Sequence, residues 1–90
     1  MKTEEIKTKL VEILSSAGIK YENFNVFPSS KKEFGDFSTN IFLKIKQTRK
    51  HISPEKLILL IQSNSWMKEN FEKIEEKNGF LNFFLKDTIV

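Results

Sequence analysis

Apolar residues recur over 3–17 as Ile6, Leu10, Ile13, Leu14 and Ala17, the spacing of one stripe of an α-helix. Glu4 and Glu5 lie where the positive end of the helix dipole favours acids, and Gly18 stands where it would end the helix. The stretch KYENFNVFPS has a different period: Tyr21, Asn23 and Asn25 alternate with Glu22, Phe24 and Val26. A two-residue period in β-forming residues predicts a strand, ended by Pro28. SSKKEFG is then a polar, lysine-bearing loop that turns at Gly35. A short extended piece follows and leads into a helix from about Thr39 to Lys50, carrying Ile41, Phe42 and Ile45.

The second half opens on a helix start. Ser53 is a good N-cap, Pro54 fits the first helical position and Glu55 follows in the first turn. A helix from 54 to about 63 would bury Leu57, Leu60 and Ile61, with Ile58 close to that stripe. SNSWMKEN breaks the pattern. FEKIEEK and FLNFFLK are then joined by Asn78-Gly79, the dipeptide favoured in tight hairpin turns. The elements therefore run helix, strand, helix, helix, strand, strand. That order predicts an α+β fold, with an antiparallel sheet covered by three helices on one face.

Size and composition narrow the classes. Ninety residues support one domain, 1–90. No cysteine is present, so disulfides and thiolate–metal sites are excluded, and packing alone must hold the fold. No run approaches the ~18 apolar residues of a membrane span. The start MKTEEIKTKL lacks the apolar core of a signal peptide, so a cytoplasmic protein is expected.

Charge is uneven along the chain. Residues 1–28 hold four Lys and four Glu. Residues 29–51 hold six Lys or Arg, including Lys31, Lys32 and Lys44, against Glu33 and Asp36. Residues 52–90 hold five Lys against six acids. The positive charge thus surrounds EFGDFSTNIFLK. A polyanion partner fits this balance, and so does a solvated lysine-rich face.

Catalytic chemistry finds little here. His51 is the single histidine, and no acid stands at triad-like spacing from it. Metal-ligand spacing is absent, and Gly35 alone makes no phosphate-binding loop. Ser38, Thr39 and Asn40 read as helix-start chemistry. Glu69, Glu72, Glu75 and Glu76 read as a solvated face. Binding remains: lysines hold phosphates, and exposed rings stack on unpaired bases. Phe37 reads as a core ring, whereas Phe34, beside two lysines and a glycine turn, fits core or surface equally. Asp36 would repel phosphate, so it would serve either a base edge or the shape of the loop. An alternative is a protein-interaction module using Phe34, Phe37 and Trp66 as an apolar patch.

FGDFSTNIFLKI resembles the Phe-Gly-Asp-Tyr/Phe-x-x-Asn segment of arginyl-tRNA synthetases, and NGFLNFFLK is similar to the Gly-Phe-Ile/Leu-Asn-Phe segment that closes their amino-terminal domain. Order and spacing agree over essentially the whole chain. The resemblance implies a sheet of about four strands and contact with the D-loop, at the outer corner of an arginine-accepting tRNA. It places RNA contacts at Lys31, Phe34 and Asp36, with Gly35 permitting the turn; Lys32, and Lys44 nearby on phosphate, complete the RNA-binding set expected here. Asn40 would brace the turn, and Asn82 would be a polar group satisfied inside the fold. By the same resemblance, the partner is a catalytic domain of the same enzyme, which uses ATP and Mg. The domain itself would act as a monomer without a cofactor.

Overall fold

The computed structural model describes residues 2–48 and 52–86. Its first element is helix α1 (Thr3–Ser16), which buries Ile6, Leu10, Ile13 and Leu14 as the stripe predicts. The Glu5 carboxylate reaches back to accept the Lys2 amide at 3.2 Å. At the other end the Gly18 amide donates to the Ser15 carbonyl and the Ile19 amide to that of Leu14. These two bonds satisfy carbonyls that the helix leaves unpaired.

The predicted strand is much shorter than its alternation suggests: β1 spans only Val26–Pro28. The Phe24 amide donates to the Glu22 carbonyl two residues back, which turns the chain before it can join the sheet. Phe24 nevertheless enters the core, 1% exposed. Residues Lys32–Phe34 form a 3-10 turn, and β2 (Phe37–Thr39) supplies the short extended piece. Helix α2 is Ile41–Lys46, starting later and ending earlier than predicted, and it buries Ile41, Phe42 and Ile45. The predicted end at Lys50, like His51, lies outside the described residues.

Ser38, Thr39 and Asn40 do not cap this helix. Ser38 and Thr39 belong to β2, and the Asn40 side chain, though at the N-cap, makes no capping bond. Its Oδ1 instead accepts the Asn25 amide at 2.7 Å, while Thr39 Oγ1 donates to the Asn25 carbonyl at 2.7 Å. The triplet ties the approach to β1 onto β2.

Helix α3 (Pro54–Ser63) begins as read, with Ser53 Oγ accepting the Lys56 amide at 3.2 Å. The break at SNSWMKEN is a further helix, α4 (Ser65–Asn70). Asn64 ends one helix and starts the next, its Oδ1 accepting the Met67 amide at 3.1 Å. Four α-helices are therefore described rather than three. Strands β3 (Phe71–Lys77) and β4 (Phe80–Leu85) close the chain as a hairpin. Asn78 and Gly79 both take positive φ at its tip, as a tight turn of this type requires.

The four strands pair antiparallel in the order β1-β2-β4-β3. Leu81 and Phe83 of β4, Ile74 of β3 and Thr39 of β2 face one way, into a core shared with all four helices. Phe83 is fully buried, with its ring 5.1 Å from that of Phe71. The α+β arrangement is the expected one. Because the helices cover one face, the residues between these on the strands are left on the other. Ser53→Ala should lower stability by about 1 kcal/mol through loss of the cap, read as a shifted urea midpoint with an unchanged slope.

Candidate nucleic-acid interface on the open face of the sheet

The strand register decides what the open face carries. Phe27 is opposite Ser38, Ser38 opposite Asn82, and Lys77 opposite Phe80. These residues alternate with the core set, so they share the uncovered side. With Phe34 from the 3-10 turn they line a groove of about 520 Å³, together with Pro28, Ser29 and Asn78. That volume is in the range of small-ligand sites, about 300–1,000 Å³.

The walls are aromatic. Phe27 and Phe80 are each 36% exposed and meet edge to face at 6.2 Å. Phe34 is half-buried, with Lys77 Nζ 5.3 Å above its ring. The floor is polar. Ser38 and Asn82 are 5% and 2% exposed, and Ser38 Oγ donates to Asn82 Oδ1 at 2.7 Å. Ser29 Oγ stands 2.8 Å from Ser38 Oγ. Among the described residues the amide nitrogen of Asn82 has no hydrogen-bond partner, and it is not sealed from solvent. Asn82 is thus satisfied inside the fold at its oxygen only.

The loop bearing Phe34 is strapped to β4. Gly35 has φ +83°, and a Cβ there would stand 2.5 Å from the Phe83 carbonyl oxygen. The Asp36 amide donates to that same oxygen at 2.8 Å, and Asp36 Oδ2 accepts the Leu85 amide at 2.9 Å. Of the sequence-predicted residues, Phe34 lines the groove, and Lys31 and Lys32 are exposed on the same loop. Gly35 and Asp36 hold that loop in place. Lys44 lies on α2 in the helix layer and is not brought to the groove.

Phe27, Phe80, Asn82 and Lys77 are among the groove residues that sequence reading does not single out as contacts. The signal is in β4 itself: FLNFFL is apolar on both of its faces, which a strand covered on one side does not need. Phe34, Phe37 and Trp66 form no common patch. Phe37 alternates with Ser38 and packs on the core, and Trp66 on α4 meets Phe71 edge to face at 6.0 Å. Among the described residues, no group of three or more His, Asp or Glu could hold a metal, and no helix is long and apolar enough to cross a membrane.

Gly35→Ala should cost at least about 1–3 kcal/mol of backbone strain, with more from the collision with Phe83. A denaturation curve matching the parent's would show that the loop is not held as described.

Comparison with known proteins gives a consistent result. The family described as "Arginyl tRNA synthetase N terminal domain" matches residues 4–85. An arginine–tRNA ligase of Thermotoga maritima is 33% identical over 91 residues, covering 100% of this chain and 16% of that protein. One from Methanosphaera stadtmanae is 31% identical over 86 residues, covering 94% of this chain and 15% of its own length. The chain therefore spans about a sixth of the curated relatives it matches. Arginyl-tRNA synthetase of Thermus thermophilus has the same fold, with a TM-score of 0.68 and 24% identity over 96% of this chain and 14% of that one. On the family match and these identities, the chain belongs to the arginyl-tRNA synthetase N-terminal domain family.

Proposed function

We propose that this domain binds the D-loop, at the outer corner of an arginine-accepting tRNA, and positions it for aminoacylation by a catalytic domain of the same enzyme. The observation that carries the reading is the groove. Rings that face solvent, an amide with an unspent donor on the floor and the Lys77 ammonium meet in one place, and Lys31 and Lys32 are exposed on the loop that carries Phe34. Together these are the parts of a single-stranded nucleic-acid site: a stacking surface, an edge-reading group and phosphate contacts.

The stacking surface is Phe27 and Phe80 before it is Phe34, because Lys77 already occupies one face of the Phe34 ring. A base entering the groove lies against the exposed pair, with Phe34 as the far wall. Lys31, Lys32 and Lys77 then serve the backbone on either side. Asp36 acts through the loop it holds, since one of its oxygens is spent on the Leu85 amide. Lys44 is a phosphate contact at most, reached by an RNA that extends beyond the groove. The choice of the D-loop and of arginine-accepting tRNA comes from the family. The groove alone calls only for an unpaired base with a backbone.

Titration with arginine-accepting tRNA at two salt concentrations tests the proposal. Affinity should fall steeply with salt. Phe80→Ala should remove about 1–3 kcal/mol of binding, and an RNA lacking its D-loop should bind far more weakly. Equal binding of the intact and D-loop-deleted RNAs would sink it.

A further inference from the structure

We infer that Ser38 is a specificity-determining residue of the groove: by holding the oxygen of Asn82, it fixes which edge of a base the floor accepts. The inference rests on the reading of the groove as a base site. An asparagine amide presents a carbonyl acceptor on one side and an NH₂ donor on the other, and rotation by half a turn exchanges them. A free asparagine on a groove floor would therefore accept either edge. Asn82 is not free. It is 2% exposed, and the 2.7 Å bond from Ser38 Oγ occupies its oxygen.

Proton counting links the hydroxyls. Ser38 has one proton, and the bond to Asn82 takes it. The 2.8 Å contact between Ser29 and Ser38 then uses the proton of Ser29, whose other acceptor, the Phe34 carbonyl, is farther away at 3.1 Å. The relay runs from Ser29 to Ser38 to Asn82 and ends, on the groove floor, in an NH₂ group without a partner among the described residues. Once a base covers it, that donor gains most from an acceptor, and a second donor placed against it leaves both unsatisfied. The groove is thereby set for a base edge that offers a carbonyl and set against one that offers an amino group.

The reverse relay is the alternative. If Asn82 donated to Ser38, its oxygen would face the groove and the preference would invert. Discrimination thus reports the direction of the hydroxyl chain, which a purely structural role for Ser38 would not affect.

The test uses the 90-residue chain with fluorescently labelled heptauridylate and heptacytidylate, measured by anisotropy at low salt. Uracil carries a carbonyl at C4 where cytosine carries an amino group. The parent should bind the uridylate about tenfold more tightly, the worth of one mispaired buried donor. Ser38→Ala should bring the two affinities to within about twofold, because the amide is then free to rotate. Ser38→Thr keeps the hydroxyl and should keep the preference. Asn82→Asp, which presents only acceptors, should favour the cytidylate. Binding that depends on Phe80 but discriminates equally in the parent and Ser38→Ala would overturn the relay while leaving the base site standing. So would a parental preference for cytidylate. Binding indifferent to Phe80→Ala would overturn the base site, and the relay with it.

Discussion

The close approach of residues 35–36 to β4 is the constraint on which the rest depends. Gly35 lets the backbone come within contact of the Phe83 carbonyl, and Asp36 then bonds to the same edge of the neighbouring strand at two points, the Phe83 carbonyl and the Leu85 amide. Two consequences follow. β2 is brought alongside β4 in a fixed register, which sets Ser38 opposite Asn82. The 3-10 turn before it is folded toward the open face, so Phe34 becomes a wall of the groove. A side chain at position 35 would affect the sheet, the turn and the groove together.

The helices make a different contribution. By covering one face of a small sheet they absorb Leu81, Phe83, Ile74 and Phe71 into the core, which leaves the alternate positions uncovered. An uncovered aromatic face is a cost, since apolar surface stays in water. Here it is concentrated in Phe27 and Phe80, with Lys77 and the buried Ser38 and Asn82 beside them. That mixture suits a flat, partly polar ligand better than an apolar protein surface.

Much of the fold is legible in the chain because local signals agree with tertiary ones. The α1 stripe, the Ser53-Pro54 start and the Asn78-Gly79 turn each depend on neighbours within a few residues. Readings fail where distant partners decide. Residues 20–25 alternate like a strand but have no neighbouring strand to pair with, and the sheet begins only at Val26. Helix α4 is concealed because one asparagine serves two helix ends. The Ser38-Thr39-Asn40 triplet looks like a cap, yet its bonds run to Asn25 and Asn82, 14 to 44 residues away in sequence. The groove is harder still. Its loop side is visible from lysines around a glycine, whereas Phe27 and Phe80 meet only because β1 and β4 flank β2.

On the proposed function, RNA meets the uncovered side of the sheet and not the helix layer. The most direct test is an amide and aromatic NMR spectrum of the domain, recorded while a D-loop hairpin from an arginine-accepting tRNA is added. Signals of Phe27, Phe80, the Asn82 side chain and residues 31–36 should shift together, while those of α1 and α3 stay in place. Shifts confined to the helices, with the Phe80 ring and the Asn82 amide unmoved, would contradict that placement.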